Sequence, residues 1–212
     1  MEPADNLTMT NSCRSFGCFF RIHMVWAAVF LLGASAAMAQ EKTFALDAKH
    51  TTVHFTLGSV LHTVHGTFAL KQGSLRLDPA SGKMAGEIVV DAKSGESSNG
   101  LRDRKMQREI LESEQFPEIT FQPMRMEGTL APEGKSSVQI HGTFSLHGVA
   151  HDITVPAEVT LTPGEWTAAI RFHVPYVKWG LKNPSTLFLR VDEAVEIEIE
   201  ASGGTRPNAG KH

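Results

Sequence analysis

The chain has 212 residues and a formal net charge of −3, with 20 basic residues against 23 acidic ones. That balance, without a basic stripe, argues against a nucleic-acid polymer as partner and leaves a small anionic ligand open. Both cysteines, Cys13 and Cys18, fall within the first 39 residues, so the remainder depends on an ordinary apolar core rather than on disulfides.

Residues 1–39 read as a secretory signal peptide. Arg14 and Arg21 precede the apolar run Met24 to Leu32, and small residues close on Ala37-Met38-Ala39. This is the basic, apolar and A-x-A order of such a leader. The run is shorter than the roughly 20 residues a membrane span needs. Cleavage after Ala39 is expected, giving a periplasmic or secreted protein with no stable membrane span. An uncleaved membrane anchor is the competing reading. Cys18 lies ahead of the apolar run rather than at its end, which argues against a lipoprotein anchor.

Removing the leader leaves 173 residues, 18 basic and 21 acidic, a size suited to one domain over 40–203. The tail 204–212 is rich in Gly and polar residues and is expected to be disordered.

Period-two patterning dominates the domain. Val53, Phe55 and Leu57 alternate with polar neighbours, as do Val64, Gly66, Phe68 and Leu70. A short run ends on Leu75 and Leu77 before the turn Asp78 to Gly82, and Met84, Gly86, Ile88 and Val90 share the next face. One helical connection is expected near residues 100–113: Met106 and Ile110 lie four apart with Leu111 beside them, Ser98 or Asn99 can cap the start, and Pro117 stops it. Ile119 and Phe121 follow, then Val138, Ile140, Gly142, Phe144 and Leu146. Ile153 to Leu161 turns at Pro163-Gly164 into Trp166, Ala168, Ile170, Phe172 and Val174. A last strand is expected over Leu187, Leu189 and Val191 and on through Val195, Ile197 and Ile199, against Glu196, Glu198 and Glu200. The pattern predicts an all-β fold of antiparallel strands, each with one buried and one solvated face.

Val64-His65-Gly66-Thr67-Phe68-Ala69-Leu70 is echoed by Ile140-His141-Gly142-Thr143-Phe144-Ser145-Leu146. Glycine inside a strand marks a bend or a close approach. Two such kinks suit a sheet curling into a barrel, and two edge strands of a sandwich suit them equally.

Four segments together resemble the YceI-like family: Asp47 to Phe55, Val64 to Phe68, Arg102-Asp103 followed by Phe116 to Phe121, and Gly142 to Val149. They come in the family's order and span nearly all of residues 43–201. The resemblance implies a lipocalin-like antiparallel β-barrel of about eight strands whose lumen holds a polyisoprenoid, quinone or similar long apolar molecule. It also agrees with export. Two departures stand out. Lys105 stands where the family usually has a histidine, and Pro175 to Ser185 is a long loop with only loose correspondence.

In such a barrel the candidate lumen residues are Phe55, Phe68, Ile88, Phe121, Phe144, Trp166 and Phe172, which would otherwise fill a solid core. Arg102 is a candidate for an anionic or quinone head group, with Asp103 holding its guanidinium. The favoured alternative is structural, an Arg102–Asp103 ion pair pinning the helix to the barrel.

No catalytic, metal or cofactor set is expected. His62 and His65 sit three apart on a strand and point to opposite faces. His147 and His151 could converge across a turn, but no four-ligand set emerges around them. There is no Gly-x-Ser-x-Gly elbow, cysteine nucleophile or phosphate loop. An exported lipid-binding protein is therefore the primary reading, ahead of a periplasmic enzyme acting on such lipids and of a ligand-free interaction module.

Overall fold

The computed structural model describes residues 41–186 and 189–207. The leader and residues 208–212 of the expected tail lie outside the described residues.

Nine strand segments follow one another: β1 (Lys42–Leu46), β2 (Thr52–Leu57), β3 (Val64–Leu77), β4 (Met84–Glu96), β5 (Glu118–Glu127), β6 (Gly134–Leu146), β7 (Val149–Thr162), β8 (Glu165–Val174) and β9 (Val195–Pro207). Every pairing is antiparallel, and each segment from β2 to β9 pairs with the next. Pairing of β9 with β2 closes the ring. The short β1 and β2 occupy one position between β3 and β9. β1 pairs with the far part of each, around Leu75 and Thr205, and β2 with the near part, around Phe68 and Ile199. The result, among the described residues, is a closed eight-stranded antiparallel barrel.

The turns follow their residues. Gly164 adopts φ +82°, as the tight β7–β8 connection requires. In the β6–β7 hairpin both His147 (φ +53°) and Gly148 (φ +73°) are left-handed, which matches the twist of the flanking strands. Pro123 cannot donate to the ladder, and the β5–β6 register shifts between it and Arg125.

Two expectations are corrected. β9 runs through Pro207, so residues 204–207 are strand rather than disordered tail, because β1 offers them a pairing edge. The last strand begins only at Val195. Val191 makes a single bridge to Ser59, and Leu189 lies in the loop between β8 and β9; Leu187 falls outside the described residues.

The echoed glycines turn out to be seats for aromatic rings. A Cβ on Gly66 would stand 2.3 Å from the Phe55 ring and from the Glu96 carbonyl oxygen. One on Gly142 would stand 2.7 Å from the Phe121 ring and 2.5 Å from the Gln122 oxygen. Each glycine leaves the space that a phenylalanine ring from the adjacent strand occupies.

Candidate ligand cavity

The helical connection, α1 (Gly100–Lys105) with a wider π-turn over Met106–Ile110, crosses one end of the barrel. The Asn99 side chain caps it, accepting from the main-chain N–H groups of Leu101 and Arg102 at 3.1 and 3.2 Å. Gln107 Nε2 ties it to β4 by donating to the carbonyls of Lys93 and Gly95. A Cβ at Gly95 would lie 2.5 Å from Phe68 and 2.7 Å from Met106, so glycine there lets the turn settle against the barrel.

Arg102 and Asp103 do not pair with each other, which corrects the expected ion pair. Adjacent helical residues point in different directions, and both reach buried Ser97, at the end of β4. Arg102 Nε donates to Ser97 Oγ at 2.7 Å, and an Arg102 terminal nitrogen donates to the Ser97 carbonyl at 2.6 Å. The Ser97 hydroxyl in turn donates to Asp103 Oδ1. Ser97 thus relays the two charges and fixes the arginine beside the cavity that both residues line.

Residues 175–186 and 189–192 form a strap over the same end. Buried Tyr176 donates its hydroxyl to the Asp192 carbonyl at 2.7 Å. Burial, reinforced by Asp192 and Glu193, pushes the phenol up to about 12, so it remains a donor. The strap is stitched to the β2–β3 loop by Val60 N–H donating to the Arg190 carbonyl at 3.1 Å. Glu112 joins helix, strap and hairpin: one oxygen accepts from Lys182 Nζ at 3.3 Å, and the other lies 3.3 Å from His147 Nε2. Lys182 first, then His147, hold the Glu112 carboxyl below its ordinary value.

Beneath this end lies a cavity of about 350 Å³, within the ~300–1,000 Å³ range of small-molecule sites. Its walls are overwhelmingly apolar, and Ser59 and His62 of the β2–β3 loop, Ser97 at the end of β4, Arg102 and Lys105 of the helix and Thr186 of the strap supply polar groups along its lining. A second chamber of about 90 Å³ occupies the far end, where Phe44 meets Trp166 edge to face. The two linings meet between Phe55 and Val53 on β2, Phe68 and Leu70 on β3, and Ile197 and Ile199 on β9. They lie end to end along the lumen.

Of the expected lumen residues, Phe55, Phe68 and Phe144 line the large cavity, and Ile88 and Trp166 the small one. Phe121 and Phe172 line neither. Both pack into the core, Phe172 against Phe144 with ring centroids 6.0 Å apart. Lys105, at the family's usual histidine position, lines the large cavity. His147 and His151 do not converge: His147 packs on Phe116, and His151 stacks on Trp179. Sequence reasoning missed Ser97, Tyr176, Leu181 and Ile110 as wall residues. Only Ile110 carried a signal, its place on the apolar face of the helix.

A family model for the YceI-like domain matches residues 44–202. The chain belongs to the YceI-like family. A related protein, UPF0312 protein VPA0850 of Vibrio parahaemolyticus, is 25% identical over 142 residues, covering 61% of this chain and 72% of the relative. This YceI-like barrel also matches the crystal structure of Burkholderia cenocepacia BcnA with a TM-score of 0.61 at 16% identity, over 74% of this chain and 99% of the other. A polyisoprenoid binding domain from Saccharophagus degradans, implicated in plant cell wall breakdown, matches with a TM-score of 0.58 at 16% identity, over 77% and 98%. At such identities the likeness establishes the fold. Among the described residues no helix is long and apolar enough to cross a membrane.

Proposed function

We propose that this barrel binds a long apolar molecule, a polyisoprenoid, quinone or similar lipid, and carries or sequesters it outside the cytoplasm after removal of residues 1–39. The observation that carries the reading is the closed barrel's apolar cavity of about 350 Å³, with its few polar groups on the strap, helix and β2–β3 loop. An apolar tail gains about 0.8 kcal/mol per buried methylene, so ten carbons supply roughly 8 kcal/mol gross. Ordering a flexible chain offsets part of that. Arg102, oriented by Ser97, and Lys105 suit a polar or anionic head at the same end. The Saccharophagus domain supports the isoprenoid class, and the lumen wall supports binding rather than turnover.

The test is organic extraction of purified protein followed by mass spectrometry. A long-chain apolar compound in fixed ratio to protein is expected. Phe144→Asp should abolish it, because an unpaired charge is costly in an apolar cavity. Glu158→Lys, on the exposed outer face, should leave it in place. A folded protein that extracts clean and takes up no added polyisoprenoid defeats the reading. Intact-mass measurement on protein from the exporting cell tests the location: a chain beginning at Gln40 is expected, and one retaining Cys13 or Cys18 defeats it.

A further inference from the structure

Three strands each place one residue between the two chambers of the lumen. On β6, Phe144 and Leu146 line the large cavity, Val138 and Ile140 the small one, and Gly142 stands between them. On β8, Val174 belongs to the large cavity and Ile170 to the small one, with Phe172 between. On β5, Phe121 pairs with Ile88 of the small chamber on one side and with Phe144 of the large cavity on the other.

At this level the lumen is filled by rings. Gly142 has no side chain, and Phe121 takes the space, since a Cβ on Gly142 would lie 2.7 Å from its ring. Phe172 packs against the buried clusters of both ends, one holding Leu146 and Val174, the other Trp166 and Ala168. Its ring meets that of Phe144 nearly edge-on, with centroids 6.0 Å apart. On β2 and β3, where the two linings meet, the Phe55 and Phe68 rings stand 5.3 Å apart, and Phe55 occupies the space above Gly66. Rings seated in this way have little room to yield, because interiors are packed close to crystal density.

We propose that Phe121 and Phe172 form the floor of the ligand chamber and set the length of apolar tail the protein accepts. This role presupposes the lipid-binding reading and narrows it from long tails in general to one length class. With its head beside Arg102 and Lys105, a tail entering the large cavity meets these rings before it reaches the small chamber. The large cavity, about 350 Å³, lies at the lower end of the range for small-molecule sites, which corresponds to a tail on the order of three isoprene units. Carbons beyond that length stay outside the barrel and bury nothing further. The small chamber of about 90 Å³ becomes usable only when a floor ring is cut back.

A length series tests this: geraniol, farnesol, geranylgeraniol and solanesol, each partitioned from detergent micelles into the purified protein. Binding should tighten about tenfold or more from geraniol to farnesol, as an isoprene unit is buried, and then level off. Phe172→Ala should move the plateau outward and bind geranylgeraniol about tenfold or more tighter than the parent does. Ala168→Leu, which fills the small chamber, should leave the parent's profile unchanged and cancel the gain when combined with Phe172→Ala. Circular dichroism checks that each variant folds. If Phe172→Ala does not fold, the parent's profile and Ala168→Leu alone still decide. Parent binding that climbs through solanesol overturns the floor, as does a folded Phe172→Ala with the parent's profile, or an Ala168→Leu that weakens farnesol. Each of these outcomes leaves the carrier reading standing. A protein that binds none of the four alcohols removes the carrier reading, and the role of the floor with it.

Discussion

Tyr176 donates its hydroxyl to the main-chain oxygen of Asp192 at 2.7 Å, joining the two ends of the strap that covers the cavity. It is the chain's only tyrosine. Tyr176→Phe preserves the buried ring and removes this one bond, with an expected cost of about 1 kcal/mol. Because the bond holds the strap closed, bound lipid should leave faster while the melting temperature falls only slightly. Release kinetics measured by transfer to acceptor vesicles check this, and an unchanged release rate would show that the strap does not depend on Tyr176.

Ser97→Ala removes an acceptor from Arg102 and a donor from Asp103 at once. Half-buried charged groups left short of partners should cost about 1–3 kcal/mol. Denaturant unfolding should report the loss, whereas Glu109→Ala, at an exposed helical position, should be close to neutral. Similar midpoints for the two variants would make Ser97 a bystander.

Two glycines offer a sharp contrast. Gly66→Ala drives a methyl group into the Phe55 ring and the Glu96 carbonyl, each 2.3 Å away, and should destabilise by about 1–3 kcal/mol. Gly100→Ala meets nothing within 4 Å in the first turn of α1 and should stabilise by up to about 1 kcal/mol. Thermal unfolding of both variants checks the pair. Shifts of the same sign would contradict the packing described.

Glu112 titrates below the ordinary glutamate range because Lys182 and His147 favour its charged form. A depressed folded-state value contributes stability that is fully present above the unfolded glutamate value and is lost as pH falls through the folded one. Glu112→Gln should therefore lower the melting temperature at neutral pH, and the difference from the parent should vanish in acid below the normal glutamate range. A difference that persists there would mean that the carboxylate's charge is not what ties helix, strap and hairpin together.

Much of the architecture was legible because alternation is a local property. Phe55, Phe68 and Phe144 could be placed inside from their neighbours alone, since side chains one residue apart on a strand face opposite ways. Asn99 as a cap and Met106 with Ile110 as an inward stripe were equally local. The strap was not legible. Tyr176 and Leu181 lie in a stretch without period two, and their burial depends on what β8 and β9 bring beneath them. Ser97 carried no signal either, since a serine at a strand end reads as solvated until Arg102 and Asp103 fold back onto it.

By itself the sequence determined the antiparallel strands, their inward faces, the helical interruption and the family, because each depends on the identity and spacing of nearby residues. Tertiary structure decided that the ring closes through β9 and β2, that β1 extends β9 into the expected tail, and that Phe121 and Phe172 pack in the core instead of lining a cavity. It also decided that Arg102 and Asp103 meet through Ser97. The physical reason is the same in each case. Ring closure and cavity volume come from contacts between residues far apart in the chain, and local pattern sets which way a side chain points without setting what it meets.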